Sequence, residues 1–433
     1  MTPVAEPSEA ALHLFETDAG RHAFVPDGSR VYDLEPATYR VLAQGGAGME
    51  EALRAFDTGG RLFVDDRPLD PPPVRSLSLN VAQTCNLACG YCYAAGGEFG
   101  GPAARMSWDV AQRALQQLFR DAAPGERIRI AFLGGEPLIA RELIRKVTVS
   151  ACELGAECGI EPAFAVTTNG TLLIEDDARF FENHGFAVTI SLDGLGAAHD
   201  ALRPFRGGAG TFERIMERAA PLLWRQRRMQ VSARVTVTPA NMRLAETLDG
   251  LVAAGFHSVG FSPMLSSPSG ALQLGRSHFS ELLRQMVACG EKFEREVVAG
   301  RRYPFSNLAT ALHEIHRGSH RPYPCGAGAG YLSVSASGEY FACHRFIADP
   351  RAAMGDLESG VDDRRRVIWL QERHVHRQEP CRSCWARYLC GGGCHHEAIN
   401  RGRPACDFIR GWLHYCLQAY VRLADRRPSF FEA

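Results

Sequence analysis

The chain has 433 residues, a formal net charge of −1 and 45% hydrophobic residues. This length allows roughly two to four domains, and the composition is that of a globular protein. The charge argues against a nucleic-acid partner, and the absence of a run of about 18 apolar residues argues against a membrane span. The N-terminal segment lacks the basic and apolar regions of a secretory signal, so we expect a cytoplasmic protein.

Short strand and helix patterns make up the first 70 residues. LHLFET, HAFVP and RVYDL alternate with turn signals, and helical patterns follow at Glu35–Gln44 and Met49–Ala55 before a strand-like run, RLFVDD. This order predicts a small α+β module of winged-helix-like type over residues 1–70. The stiff segment Pro68–Pro73 marks its boundary.

Strands and helices alternate from Val74 to about Pro263. Six strand candidates are separated by amphipathic stretches: VRSLSLNVA, RIRIAFLG, AFAVTT, FAVTISLD, QVSARVTV and HSVGFSP. Helical crossovers predict a parallel sheet, so we expect an α/β fold with a partial (β/α)6 TIM-like barrel over residues 74–275. Its site would lie at the carboxyl ends of the strands.

The rest of the chain is first helical and then rich in cysteine. Helical patterns at Ser277–Gly300 and near Asn307–Arg317 predict a helical bridge over residues 276–320. Residues 321–433 are rich in turns and cysteines and end in a helical pattern at Phe408–Ala424. We interpret them as one C-terminal domain.

Fourteen cysteines are the most informative feature of the composition. In a reducing compartment, clustered thiols are better explained as metal ligands than as disulfides. The C-terminal cluster consists of Cys325, Cys343, Cys381, Cys384, Cys390, Cys394 and Cys406. Cys85, Cys89 and Cys92 form a separate group after the first barrel strand. The other four are more simply interpreted as small hydrophobic residues.

Three thiolates on one short loop can hold three irons of a cubane cluster and leave the fourth iron open. A zinc site completed by a distant residue is the weaker alternative, because structural zinc takes four ligands. TCNLACGYCY resembles the cluster loop of radical S-adenosylmethionine (SAM) enzymes. The resemblance implies a [4Fe-4S] cluster whose open iron chelates SAM, and a 5′-deoxyadenosyl radical that abstracts a substrate hydrogen.

FLGGEP, TTNG and SLDG, with HDALR beyond, extend this resemblance over about 190 residues. The resemblance implies that SAM is contacted by Tyr91, Gly134, Gly135, Glu136, Asn169, Ser191, Arg203 and Leu265. A guanidinium is chemically suited to the SAM carboxylate. A solvated surface arginine is the alternative for Arg203, and a core leucine is the alternative for Leu265.

The C-terminal cysteines resemble the SPASM extension of peptide and sulfatase maturases. The resemblance implies two auxiliary [4Fe-4S] clusters, three clusters in all. Auxiliary II would be held by Cys381, Cys384, Cys390 and Cys406, and auxiliary I by Cys325, Cys343 and Cys394. Tyr331 occupies the position of a fourth auxiliary I ligand in some members, so that iron is open to solvent, a substrate thiolate or Cys416. Two zinc sites are the alternative, and seven ligands fill them poorly.

Sulfatase-maturing members of this family carry an aspartate directly after the second SPASM cysteine, where this chain has His344. The difference argues against formylglycine formation. GEYFACHRF is more similar to maturases that form thioether or carbon–carbon crosslinks: those of sactipeptide and ranthipeptide type, cyclophane-forming enzymes, and the quinohemoprotein amine dehydrogenase maturase. His344 is the candidate catalytic residue, and a histidine bonded to a cluster sulfur is the alternative.

We therefore expect a radical SAM/SPASM enzyme that crosslinks a ribosomal peptide or small protein, using an electron donor such as flavodoxin or ferredoxin. The N-terminal module would bind the leader of the precursor as an added strand, or serve only as a structural cap. Alternatives are a sulfatase-maturase-like enzyme, a small-molecule radical SAM dehydrogenase, an iron–sulfur electron carrier and a zinc adaptor. The three strand-end motifs disfavour the last two, and we expect no nucleic-acid or membrane partner.

Overall fold

The computed structural model describes residues 12–45, 49 and 67–432. The chain divides into two compact units, of which unit 1 combines Met1–Pro68, Phe279–Cys325 and Gln371–Ala433. Unit 2 combines Leu69–His278 and Gly326–Leu370. The predicted strand RLFVDD and the predicted helix at Met49–Ala55, apart from its first residue, lie outside the described residues.

The elements follow one another largely as the sequence predicts. The strands are β1 His13–Thr17, β2 Gly20–Val25, β3 Arg30–Leu34, β4 Ser76–Gln83, β5 Ala104–Arg105, β6 Arg127–Gly134, β7 Glu161–Thr168, β8 Ala187–Ser191, β9 Gln230–Val237, β10 Ser258–Pro263, β11 Tyr331–Val334, β12 Glu339–Phe341, β13 Ala353–Asp356 and β14 Gly360–Val361. The helices are α1 Pro36–Gln44, α2 Trp108–Arg120, α3 Arg141–Cys158, α4 Glu175–Asn183, α5 Ala197–Leu202, α6 Phe212–Arg225, α7 Leu244–Ala253, α8 Arg276–Val298, α9 Ser306–His316, α10 Asp363–Arg373, α11 Arg387–Cys390, α12 His395–Arg401 and α13 Cys406–Arg426.

Unit 2 is built on one large sheet with the order β10-β9-β8-β7-β6-β4-β11-β12-β13-β14, and β5 pairs with β4. The six predicted strands are parallel neighbours, which confirms the expected α/β fold. The order is an open path, so the described strands form a partial and not a closed barrel. The sequence did not predict β11, which pairs in parallel with β4 and extends the sheet.

The two faces of this sheet differ in side-chain character. On β6, Ile128, Ile130 and Phe132 are fully buried on the face that the crossover helices cover. Ala131 and Leu133 alternate with them and are partly exposed on the opposite, inner face. The period of two explains this pattern, because successive strand residues point to opposite faces. The inner face therefore has room for ligands beside the strand ends.

Unit 1 contains a three-stranded antiparallel sheet with the order β1-β2-β3. This sheet packs on the C-terminal part of the same unit. The His13 ring stacks on that of Trp385 with ring centroids 3.8 Å apart, and Gln418 on α13 donates a hydrogen bond to the Glu16 carbonyl. Within the described part of the chain, no helix is both long and apolar enough to cross a membrane.

An aromatic cluster beneath the parallel sheet gives a test of this core. Phe186 is fully buried, and its ring centroid lies 4.7–6.1 Å from those of Phe181, Phe164 and Phe132. We expect Phe186→Ala to lower the free energy of unfolding by about 3–5 kcal/mol, because it leaves a cavity that its neighbours fill only partly. Urea denaturation followed by circular dichroism measures the change.

Trp224→Ala is the matched control, since Trp224 is a large aromatic residue that is 80% exposed. We expect it to change the free energy of unfolding by less than about 0.5 kcal/mol. Equal effects of the two substitutions would contradict the assignment of Phe186 to the core.

Candidate active site

The cysteines of the first group lie on the loop that follows β4. Cys85, Cys89 and Cys92 are each partly buried, and each thiol interacts electrostatically with the other two. The amide of Leu87 donates to Cys85 Sγ at 3.5 Å. Burial raises the pKa of Cys85 and raises that of Cys89 to about 11. These two thiols therefore stay protonated at neutral pH unless a bound cation displaces the protons.

Two glycines at the end of β6 let the cysteine loop pass close to the strand. A β-carbon at Gly135 would lie 2.3 Å from the Thr84 carbonyl oxygen, and one at Gly134 would lie 2.3 Å from the Ala82 carbonyl oxygen. The amide of Glu136 donates to the Thr84 carbonyl at 2.9 Å. Only glycine fits this crossing, which fixes where the loop begins.

The carboxylate of Glu136 forms hydrogen bonds at the ends of β6 and β7. It is fully buried and accepts hydrogen bonds from the Thr168 hydroxyl at 2.7 Å, the Asn169 amide at 2.7 Å and the Leu138 amide at 3.0 Å. Burial raises the pKa of Glu136, and the three donors oppose that rise. The carboxylate thus joins the end of β6 to the end of β7.

Asn169, the residue after β7, connects the end of this strand to the cysteine loop. Its side-chain amide donates to Asn86 Oδ1 at 2.9 Å and contacts Cys85 Sγ at 3.7 Å. Its own oxygen accepts hydrogen bonds from the amide and the hydroxyl of Thr171. These contacts orient the Asn169 amide toward the sulfur.

A buried triad links Tyr91 and Arg203 through Asp193. Arg203 donates to the Tyr91 hydroxyl at 2.6 Å and lies 3.4 Å from Asp193 Oδ2, and the same carboxylate oxygen accepts a hydrogen bond from Tyr91. The other oxygen of Asp193 accepts from the Thr236 amide at 2.7 Å. Burial alone would lower the pKa of Arg203, but Tyr91, Cys89 and Asp193 raise it well above its usual value.

Asp193 belongs to the SLDG motif, but sequence reasoning assigned it no role. The one sequence signal for a role of Asp193 is that it lies in a motif, between the predicted SAM contacts Tyr91 and Arg203. Its importance follows from the structure, because a buried arginine needs a carboxylate partner.

The two remaining predicted SAM contacts lie at the ends of β8 and β10, which flank β9 in the sheet. Ser191 ends β8, is partly exposed and pairs in register with Arg234 of β9. Leu265 follows β10 and is 9% exposed. Its neighbour Met264, which sequence reasoning missed, belongs to the apolar cluster with Tyr91.

His344 lies beside two tyrosines near the inner face of the sheet. Its Nδ1 is 3.1 Å from the Tyr331 hydroxyl, and its ring centroid is 5.9 Å from that of Tyr93. The Tyr331 hydroxyl also shares a 2.8 Å hydrogen bond with Ser78 on β4. Burial lowers the pKa of His344 to about 4, and the positive charges of Arg345 and Arg234 act in the same direction. The ring is therefore neutral at neutral pH.

Tyr93 joins the first cysteine group to the segment around Cys343. It follows Cys92 directly, and its pKa is raised by burial and by both Cys92 and Cys343. The Arg345 guanidinium lies 5.3 Å from the centre of its ring. The Tyr93 ring therefore lies near two predicted cluster ligands of unit 2, Cys92 and Cys343.

Four C-terminal cysteines come together in unit 1. Cys390 interacts electrostatically with Cys381, Cys384 and Cys406, and Cys381 interacts with Cys384 and Cys406. Burial raises the pKa of Cys390 to about 12. An all-thiol donor set suits an iron–sulfur cluster and also suits zinc.

The other cysteines fall into different environments. Cys325 and Cys394 belong to unit 1 and Cys343 to unit 2. Cys416 is fully buried in helix α13 and Cys158 is exposed at the end of α3. Among residues 12–45, 49 and 67–432, no three His, Cys, Asp or Glu side chains converge closely enough to bind a single metal ion.

Comparison with curated proteins identifies relatives of this chain. Residues 79–223 match the Radical SAM superfamily. The serine-type anaerobic sulfatase-maturating enzyme of Klebsiella aerogenes is 26% identical over 354 residues, which cover 79% of this chain and 85% of that protein.

Solved structures agree on the fold. Native anSMEcpe with bound AdoMet and the Cp18Cys peptide matches 82% of this chain and 99% of its own, with a TM-score of 0.67 and 19% identity. Streptococcus suis SuiB bound to its precursor peptide SuiA matches 91% of this chain and 97% of its own, with a TM-score of 0.56 and 14% identity. Residues 79–223 are therefore a radical SAM domain, and the relatives indicate that the chain is an enzyme.

Proposed function

We propose that this enzyme modifies a ribosomal peptide or small protein and forms an intramolecular thioether or carbon–carbon crosslink. The observation that carries the proposal is His344, which lies beside Tyr331 and Tyr93 near the inner face of the sheet. Sulfatase maturases of the family that the sequence resembles have an aspartate at this position. A neutral imidazole gives the site a different proton acceptor and supports a different product.

The cofactor-binding residues in this proposal are those that converge at the strand ends. Cys85, Cys89 and Cys92 would hold a [4Fe-4S] cluster, which together with SAM supplies a 5′-deoxyadenosyl radical for hydrogen abstraction. SAM itself would be contacted by Tyr91, Gly134, Gly135, Glu136, Asn169, Ser191, Arg203 and Leu265. Arg203 presents a buried positive charge beside Cys89, which suits the SAM carboxylate.

The inner face of the parallel sheet offers room for a substrate side chain. Several residues that alternate with the buried ones are small and partly exposed: Ala163, Ala165 and Thr167 on β7, Thr189 on β8, and Ser232 on β9. Arg234 lies on the same face of β9 and is the large, exposed exception. Small side chains leave space above a sheet where bulky ones would fill it. A peptide segment fits such a site, because only one of its side chains needs to enter.

The hydrogen bonds around His344 favour one tautomer. Ser78 donates to Ser333 at 2.7 Å, so its oxygen accepts the hydrogen bond that it shares with Tyr331. The Tyr331 hydroxyl then donates to Ser78 and accepts from Nδ1–H of His344. This leaves Nε2 of His344 with a lone pair for a substrate proton.

The N-terminal sheet supplies a surface for a precursor peptide. Strand β3 ends the order β1-β2-β3, and its outer edge has no strand partner among the described residues. Arg30 and Asp33 on this strand are exposed. A leader segment would pair with this edge as a fourth strand. The structural match to SuiB, whose structure contains its precursor peptide SuiA, supports a peptide partner.

Three further parts of the proposal concern cofactors and partners. Cys381, Cys384, Cys390 and Cys406 would hold auxiliary cluster II. Auxiliary cluster I would have Cys325, Cys343 and Cys394 as ligands. A flavodoxin- or ferredoxin-like donor would reduce the enzyme in a reducing compartment such as the cytoplasm, where cluster thiols stay reduced. The radical SAM match sets aside the electron-carrier and zinc-adaptor alternatives.

Sulfatase maturation is the second candidate, favoured by the relative from Klebsiella aerogenes. Two peptides separate the candidates: a sulfatase active-site segment, and a short peptide encoded beside this gene. Formylglycine is an aldehyde that reacts with a hydrazide, whereas a crosslinked peptide gives no such adduct in mass spectrometry. A hydrazide adduct of the sulfatase peptide would overturn the crosslinking proposal.

Loss of one cysteine of the first group tests the cofactor site. We expect Cys89→Ala to abolish formation of 5′-deoxyadenosine from SAM after anaerobic reconstitution and reduction, because the cluster loses one of its three ligands. Chromatography of the nucleoside products measures this. Cys158→Ala is the control, since Cys158 is exposed and lies on a helix, and it should cleave SAM at the unsubstituted rate. Unchanged cleavage by Cys89→Ala would refute the site.

Replacement of His344 tests its role as proton acceptor. We expect His344→Gln to retain SAM cleavage but to lower crosslinked peptide per 5′-deoxyadenosine by roughly 100-fold, the contribution of a positioned base. Mass spectrometry and nucleoside analysis of the same reaction give this ratio. His316→Gln, a substitution of an exposed histidine in unit 1, serves as control. A normal ratio in His344→Gln would leave the histidine without a chemical role.

A further inference from the structure

Two arginines contact the sulfurs of the cysteine quartet in unit 1. Arg403 donates a hydrogen bond to the Cys381 thiol, and Arg410 donates one to the Cys384 thiol. The sequence gives no hint of these contacts, because Arg403 precedes α13 and Arg410 lies one turn inside it. Each guanidinium thus reaches a different sulfur of the same quartet.

The short segments around the quartet hold the sulfurs and the arginines in fixed positions. Gln378 accepts a hydrogen bond from Arg403, and Cys381 begins the turn that brings the Cys384 amide to its carbonyl at 3.1 Å. Gly391 has φ 67°, and a β-carbon there would lie 2.5 Å from the backbone of Pro324. These contacts fix the backbone that carries the quartet and the position of Arg403.

Arg403 retains an unused donor inside this site. Its Nε is buried and has no hydrogen-bond partner among the residues that the structure describes. A buried N–H without an acceptor is unfavourable, and an anionic group among the four sulfurs would supply the missing acceptor.

Positive charge lies around the quartet beside exposed carboxylates. Burial lowers the pKa of Arg373, Glu372 opposes this fall, and repulsion by Arg403 adds to it. The side chains of Glu372 and Asp407, which pair with Arg373 and Arg410, are 63% and 93% exposed. Solvent screens such carboxylates, and it also screens part of the charge of Arg410, whose side chain is 37% exposed.

We propose that Arg403 and Arg410 raise the reduction potential of the iron–sulfur cluster that the quartet holds. One-electron reduction adds one negative charge to a cluster and forms or breaks no bond. Hydrogen bonds and positive charge at the sulfurs stabilise the reduced form more than the oxidised form, which makes the cluster easier to reduce. Arginine suits this role because it stays charged when it is buried. This inference rests on the proposed function only in taking the quartet as a cluster site.

The test is an anaerobic redox titration of the full-length, reconstituted chain, followed by electron paramagnetic resonance. Dithionite supplies the electrons, and no peptide is needed. Cys85, Cys89 and Cys92 are replaced by alanine in all samples, so that the SAM-binding cluster gives no signal. The resonance lost on further replacement of Cys384 by alanine belongs to the quartet. If that replacement changes neither the spectrum nor the iron content, the quartet holds no cluster, and the cofactor assignment itself fails.

The variants are R403Q, R403K, R410Q and the control R382Q. Arg382 follows Cys381 directly but its side chain is 66% exposed, so solvent screens its charge. We expect R403Q and R410Q each to lower the equilibrium constant for reduction about tenfold, equivalent to ~59 mV for one electron. The midpoint potential of R403K should lie between those of R403Q and the unsubstituted protein. The midpoint potential of R382Q should equal that of the unsubstituted protein.

Equal midpoints for R403Q, R410Q and R382Q, at equal iron content, would overturn the proposal. Loss of the quartet resonance in R403Q, R403K and R410Q alike would also overturn it, since the arginines would then serve to retain the cluster. If only R403Q fails to load, the R403K and R410Q midpoints decide the question.

Discussion

The close passage of the cysteine loop over the end of β6 determines where the first cysteine group lies. The Thr84 carbonyl accepts a hydrogen bond from the Glu136 amide, and Gly135 leaves no side chain between the two backbones. Backbone contacts therefore fix the start of the loop that carries the three thiols. The strand ends behind it are in turn joined by the buried carboxylate of Glu136. The motif that resembles a SAM-binding turn therefore also has a structural function.

Much of this arrangement could be predicted from the sequence, because it depends on local patterns. The six parallel strands follow from short apolar runs separated by amphipathic helices, and helix α2 is capped by Ser107 as such patterns suggest. The proximity of Cys85, Cys89 and Cys92 follows from their close spacing on one loop. The inner and outer faces of the sheet follow from a period of two.

Other features depend on contacts between distant segments, and local patterns contain no information about them. Strand β11 has only four residues, YLSV, and becomes a strand by pairing with β4 more than 250 residues earlier in the chain. Asp193 acquires its role because Tyr91 and Arg203 meet at its carboxylate. Arg403 and Arg410 resemble any other arginine of an arginine-rich chain until the fold brings them to the quartet.

In both cysteine groups an arginine lies beside a sulfur, but the groups differ in the partner of that arginine. Each has a buried or partly buried arginine beside a sulfur: Arg203 near Cys89, and Arg403 at Cys381. Arg203 is paired with the buried carboxylate of Asp193, which offsets part of its positive charge. Arg403 donates to the neutral amide oxygen of Gln378, which does not offset its charge. The cysteine sulfurs of the two groups thus lie in two different electrostatic environments. By this argument, of the two proposed clusters the one in the quartet is the easier to reduce.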